Sequence, residues 1–409
     1  MGRHFLLSVS HSSRAAFHLR WRIALVLLVT AFCHQQYLFL VSRQSLAAKY
    51  SPTTFDAGHN ELQPKFSRPD DDDSDFQDEI IANREAWRIL SHGWEGKVFA
   101  YKDSVIKTFT PGQSPFRNCA PGIENEKWPT EIAASLRLGG HDNNISNAGL
   151  SENSNANKNM NGFLPVRAYF KAAATPSLVP EWHLVTPLLK GGNLNTLAKK
   201  TLLETKLKTA KDVDAHFRPA FERLLGNMQH LHEARYCHDD IKPANIFVAE
   251  DTRWLLGDLG NLRHTSHPYH SSRIWINNDQ LRDCRANDAM RLLKSYLQFV
   301  KAAASDKERF DDDFFTGKEP ISRLFWKAST DARTISAAQI QKLSMKEYPE
   351  QPAMLQENNE STQIRGTFRR LTLHKAVNKS LETRMGEKLA RWWGMVGIFG
   401  VPNKEVCGF

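Results

Sequence analysis

Eight residues, 238-HDDIKPAN-245, place a histidine, two aspartates, a lysine and an asparagine between two apolar runs. A carboxylate can orient a hydroxyl and take its proton, a lysine can meet a moving negative charge, and an asparagine oxygen can hold a hard cation. Asp240, Lys242 and Asn245 stand in that order. Further on, Asp258 lies in the turn 256-LGDLG-260, where its carboxylate offers a second oxygen ligand for a divalent cation. An apolar helical face (Leu224, Met228, Leu231) runs into the cluster, and the β-type residues Ile246, Phe247 and Val248 leave it. The polar residues therefore sit on a loop held between a helix and a hairpin, a rigid placement suited to chemistry.

The elements that position this loop can be read from the flanking sequence. Residues 88–110, RILSHGWEGKVFAYKDSVIKTFT, alternate apolar and polar, with Gly93, Gly96 and an Asp103-Ser104 turn. That pattern predicts strand, glycine turn, strand, tight turn, strand. Residues 124–140 predict a helix with Pro129 in its first turn and glycines at its end. The Asn-, Ser- and Gly-rich stretch 141–162 is too polar to pack, and a disordered insertion is expected there. Strand-like pieces follow around Leu164–Phe170 and Trp182–Leu189. Helical spacing then dominates over His216–Ala234, Asp288–Ala303 and Ala376–Trp393. Strands first and helices after predict an α+β fold, a small sheet-rich lobe on a larger helical one.

Taken together, these residues resemble the protein-kinase superfamily over about Ile89 to Val300. His238 to Asn245 is similar to its catalytic loop, and Asp258-Leu259-Gly260 to its metal-binding triplet. The resemblance implies an N-lobe over 85–190, a C-lobe over 191–409 with a divergent C-terminal extension, and ATP and Mg²⁺ as cofactors. It assigns Gly93, Gly96 and Val98 to the phosphate loop, and Lys107, paired with Glu131, to the α- and β-phosphates. Thr186 becomes the gatekeeper, with Leu188 in the adenine-facing segment. Asp240 and Lys242 become catalytic, Asn245 and Asp258 metal ligands, and Asp288 the buried anchor of the loop. The implied activity is ATP- and Mg²⁺-dependent transfer to a serine or threonine hydroxyl of a protein substrate. A pseudokinase scaffold and a kinase-like enzyme acting on a small molecule or glycan remain alternatives.

The chain departs from the family pattern in four places. Ser91 replaces the first glycine, no Ala-Pro-Glu follows Asp258, the interval from Asp258 to Asp288 is short, and Asp239 stands where an arginine is common. In many kinases that arginine grips a phosphate added to the activation segment. Asp239 would repel one, and the segment's own Arg263 or Arg273 is the expected partner.

Composition narrows the classes. The chain has 409 residues, 41% hydrophobic and 24% charged, which is ordinary for a globular protein. Its net charge of +9 is scattered, with no basic run interleaved with aromatics, so nucleic-acid binding is not expected. Ile23 to Val41 is uncharged and long enough to cross a thin bilayer. Arg3, Arg14, Arg20 and Arg22 precede it, whereas only Arg43 and Lys49 follow closely. The positive-inside rule puts the 1–22 tail in the cytosol and the domain in the lumen of the secretory pathway. As an alternative, the acid-free, Arg- and Ser-rich start also suits a mitochondrial presequence and the inner membrane. Residues 42–84, with 69-PDDDDSDFQDE-79, read as an acidic, disordered stalk. Of five cysteines, Cys33 lies in the apolar run; the other four could pair in an oxidising lumen. Trp392 and Trp393 are expected to pack.

Overall fold

The computed structural model describes residues 4–55, 71–93, 96–110, 118–121, 127–140, 162–173, 179–204, 206–317, 319–347, 367–383 and 385–395. The predicted insertion over 141–162 lies outside them except for Gly162. Helix α1 (His4–Lys49) leads to α2 (Asp71–Ala82), and then to β1 (Arg88–His92), β2 (Lys97–Tyr101) and β3 (Ser104–Phe109). The short strands β4 (Cys119–Pro121) and β5 (Lys127–Pro129) pair with each other and lead into α3 (Thr130–Gly139). Pro129 therefore caps α3 from outside, whereas the sequence put it within the first helical turn. Strands β6 (Ala168–Ala172) and β7 (Glu181–Pro187) complete an antiparallel sheet of order β1-β2-β3-β7-β6.

The sheet is apolar on both faces because β7 alternates with a period of two. Trp182 and Leu184 join Phe109, Trp128, Ile132 and Val166 on the α3 side. Val185 joins Ile106, Ala168, Phe170, Trp87 and Ile80 on the other. Ile80 belongs to α2, and the Trp87 indole donates to its carbonyl at 3.2 Å. The expected stalk is thus structured at both ends: 71–82 covers the outer face of the sheet, and 42–49 continues α1. Charge dominated the reading of that segment and hid the apolar positions Phe76, Ile80 and Ile81, which pack there. Truncating Ile106, fully buried at the centre of this face, would cost roughly 2–5 kcal/mol.

Helices dominate after the sheet: α4 (Leu194–Glu204) and α5 (Ala210–Glu233), then, past strands β8 (Tyr236–Cys237), β9 (Ile246–Glu250), β10 (Arg253–Leu256) and β11 (Arg263–His264), the short α6 (Arg273–Asn277) and α7 (Cys284–Ala303). Next come α8 (Lys307–Thr316), α9 (Pro320–Thr330), α10 (Ala337–Glu347), α11 (Thr367–Ser380) and α12 (Lys388–Met395). Thr209 and Asp212 form a capping box that starts α5. Its buried stripe, Val213, Phe217, Phe221, Leu224, Met228 and Leu231, packs with α7 in one large core. The helix expected over Ala376–Trp393 is two helices, since the chain turns where Gly386 donates its N–H to Asn278 Oδ1 at 2.6 Å.

The structure is therefore α+β, with a sheet region, a helical region and one long apolar N-terminal helix. Phe17–Lys49 is long and apolar enough to cross a membrane, and residues 17–34 are exposed throughout. The far end of α1 is different, for Leu46 and Tyr50 just beyond it are buried against Tyr269, Ile274 and Trp275.

Candidate functional site

Loop 238–245 is fastened from below by α7. Asp288, fully buried, accepts the backbone N–H groups of His238 at 2.6 Å and Asp239 at 3.1 Å. Two backbone hydrogen bonds to one buried carboxylate fix the start of the loop. Arg291, one turn on, donates to the Asp239 carbonyl at 2.6 Å. His238 is buried, its Nε2 at 3.1 Å from the Gly257 carbonyl, which ties the loop to the Asp258 turn. A disulfide between Cys237 and Cys284 joins the start of the loop to the first residue of α7.

The loop presents its charged groups to an open cleft that starts at the β1–β2 strands and extends past α7 to α11 and α12, about 1290 Å³ in all. Gly93, Gly96, Val98, Lys107, Glu131, Asp240, Lys242 and Asp258 all line it. Lys107, central in β3, forms ion pairs with Glu131 of α3 and, at 3.0 Å, with Asp258. Lys107 outweighs the cost of burial and holds the Asp258 carboxyl at about 2, so it is ionised at any physiological pH. Asp258 adopts a left-handed backbone, φ 55°, as does Asp239, φ 62°. Such geometry in non-glycine residues is stored strain that the surrounding contacts must hold. Gly96 has a different constraint: a Cβ there would sit 1.7 Å from the Thr108 carbonyl, so only glycine lets this turn lie on β3.

Asp240 is held from two sides. Lys242 Nζ lies 2.7 Å from its Oδ2, and Asn245 Nδ2 donates to its carbonyl at 2.9 Å. Asn245 thus uses its amide nitrogen inside the loop, which leaves its oxygen as the atom to offer a ligand. An amide oxygen and a carboxylate are both hard donors of the kind that suits Mg²⁺, but Asn245, unlike Asp258, is not among the residues lining the cleft. An ammonium such as that of Lys107 can pair with phosphate oxygens, and a carboxylate such as that of Asp240 can accept a hydroxyl proton. Thr186 and Leu188 are not among the residues lining the cleft. Leu188 also donates its N–H to the Asp103 carbonyl at 2.7 Å, so its carbonyl is the group it has left to offer.

The segment after Asp258 is locked by contacts that sequence reasoning largely missed. Arg263, rather than Arg273, meets Asp239, with Nη1 at 3.2 Å from Oδ2. His270 Nε2 lies 2.9 Å from the same oxygen. Burial alone would neutralise His270, but Asp239 outweighs it and raises the imidazole pKa. Arg263 also donates to Asn118 Oδ1 at 2.8 Å and to the Lys49 carbonyl at 3.3 Å. Thr53 reaches the Leu262 carbonyl at 3.3 Å, and Ser51 lies 3.0 Å from His267. Lys49 pairs with Glu387, which accepts from the Tyr269 hydroxyl at 3.0 Å. The end of the apolar helix and the C-terminal region thus meet on one segment. The opposite charges of Asp239 and Arg263 were the only sequence signal of this arrangement.

No family model matches the chain. Over 83 residues the chain is 32% identical to mitogen-activated protein kinase 14 of Xenopus laevis. The match covers 20% of this chain and 20% of that protein's length.

Proposed function

We propose that the chain is an ATP- and Mg²⁺-dependent protein kinase built on a two-lobed kinase-like fold, transferring the γ-phosphate to a serine or threonine hydroxyl. The observation that carries this reading is Lys107, held between Glu131 and Asp258 in a cleft that Asp240 and Lys242 also line. The partial similarity to a mitogen-activated protein kinase points the same way. Asp240 orients the acceptor hydroxyl and takes its proton; Lys242, already beside it, meets the charge on the transferring group. Asn245 and Asp258 would hold Mg²⁺, which supplies charge neutralisation at the phosphates. Lys107 positions those phosphates, and Gly93 and Gly96 let the β1–β2 turn close over them. Because such catalysis is mainly placement and charge stabilisation, the chain's part is to keep these few groups rigid.

The same reading places the domain in the lumen of the secretory pathway, behind a single membrane helix with a cytosolic N-terminus. The Cys237–Cys284 disulfide supports an oxidising compartment. A lumenal location and the missing Ala-Pro-Glu after Asp258 would also suit a second acceptor class, glycans or small molecules, which ranks lower because Lys242 is present. The test is incubation of the purified full-length chain with labelled ATP and Mg²⁺, alone, with protein acceptors, and with glycan acceptors. Label on protein serine or threonine supports the first reading, label on glycans the second, and hydrolysis-free binding alone a scaffold.

A further inference from the structure

Helix α12 runs antiparallel along the end of α1. Glu387, just before it, pairs with Lys49, Arg391 donates to the Tyr50 hydroxyl at 2.8 Å, and Gly394 packs on Leu46 and the Arg43 backbone. The helix therefore climbs α1 towards the apolar run as its own sequence proceeds. A Cβ on Gly394 would sit 2.5 Å from Leu46 Cδ1, so glycine lets the two helices approach closely. The other side of α12 is exposed among the described residues: Leu389 is 66% exposed and Trp392 48% exposed, with Lys388 exposed beside them. Trp392 lies edge-on to Trp393, their rings 4.5 Å apart.

The depth of this patch follows from helix geometry. The apolar run ends near Val41, and Leu46, level with the Trp pair, lies about 8 Å beyond it at ~1.5 Å per residue. The headgroup layer on each side of a bilayer is roughly 5–8 Å deep. Tryptophan with adjacent cations is the composition favoured at that level, where an amphipathic ring can be half apolar and half wet.

We propose that α12 seats Trp392 in the phospholipid headgroup layer beside α1. This rests on the reading of α1 as a membrane helix and extends it: the domain is held to the bilayer at two points. Since Glu387 and Tyr269 are hydrogen-bonded, the second contact also fixes the segment after Asp258 relative to the membrane.

The test uses the full-length chain carrying Cys33→Ser and one new cysteine, Trp392→Cys, labelled with an environment-sensitive fluorophore without reductant. The protein is reconstituted into phosphatidylcholine vesicles whose nitroxide lies either near the headgroup or deep in the acyl chain. A label at Leu28 reports on α1, and a label at Leu203, which is 79% exposed, reports on water. The expected result is blue-shifted emission at position 392, quenched more by the shallow nitroxide than by the deep one. Quenching at 28 with water-like emission at 392 overturns the proposal and leaves the anchor standing. A blue shift at 392 without nitroxide quenching means that protein, such as a second copy, covers the patch, and also overturns it. Absence of quenching at both positions removes the anchor and the proposal together.

Discussion

Arg263 Nη1 lies 3.2 Å from Asp239 Oδ2, and both side chains are buried. On the proposed kinase reading, this pair is a charge-reversed form of the contact by which many kinases order their activation segment. The negative partner is built into the loop, and the positive one into the segment after Asp258. Phosphatase-treated protein should therefore keep its activity, and alanine at Thr265, Ser266 or Ser271 should change it little. Ser272 is different, because its hydroxyl caps α6 by accepting the Trp275 N–H at 3.3 Å; alanine there should cost about 1 kcal/mol of stability. Arg263→Ala should destabilise the fold by up to roughly 3 kcal/mol, since it removes one of the two cationic partners of a buried carboxylate and leaves His270 as the other. A tenfold loss of turnover on dephosphorylation, ~1.4 kcal/mol of barrier, would refute the built-in lock.

Cleaving the Cys237–Cys284 bridge removes a cross-link over 47 residues, worth about 4 kcal/mol in loop entropy. The Cys237→Ala/Cys284→Ala pair should melt well below the wild type in calorimetry. Dithiothreitol should lower the wild type by more than it lowers the variant, which keeps the disulfide of Cys119. Equal melting of all samples would mean that the bridge contributes nothing.

Deleting Ile23–Val41 should release the protein from membranes in carbonate extraction while nucleotide binding survives. Deleting residues 23–54 should differ, because it also removes Lys49, Ser51 and Thr53 from the segment around Arg263 and His267. The longer deletion should melt lower and be cleaved faster by protease within 261–277. Identical protease patterns for the two deletions would show that the α1 end does not hold the segment.

Acid should destabilise the fold through two buried histidines. Burial lowers His183 to about 4; burial, then Arg263, lowers His267 to about 3. Both are therefore neutral when folded, while the unfolded chain takes up protons below pH ~6.5. Their stabilisation is complete above that pH and is lost as pH falls towards the folded values. His270 acts oppositely, its raised pKa adding stability that is lost as pH rises through it. The unfolding midpoint should drop between pH 7 and pH 5 by an amount equivalent to about 1–3 kcal/mol. A flat or rising midpoint over that range contradicts the burial of these two rings as neutral groups.

The contrast between Lys107 and Lys49 shows what the sequence could reveal. Lys107 stands mid-strand in an alternating run, and Glu131, 24 residues on, opens a helix; both local signals are strong. The loop around Asp240 is legible for the same reason, since its groups lie within eight residues. Lys49 meets Arg263 across 214 residues, and no local pattern marks a carbonyl at the end of an apolar helix as a hydrogen-bond acceptor. The acidic helix over 71–82 was hidden by its own charge, because burial of Ile80 depends on a sheet face formed elsewhere in the chain. Local periodicity is readable; tertiary cover is not.

The most direct test of the proposed activity is transfer of labelled γ-phosphate by the wild type and Asp258→Asn across a Mg²⁺ titration. The substitution removes the charge that faces Lys107 and that would hold a bound Mg²⁺, and changes almost no volume. The wild type should transfer phosphate in a Mg²⁺-dependent way, and the variant should lose at least ~10²-fold with its melting temperature nearly unchanged. Retained transfer with an unaltered Mg²⁺ dependence in Asp258→Asn, or no transfer by the wild type to any acceptor, would contradict the account.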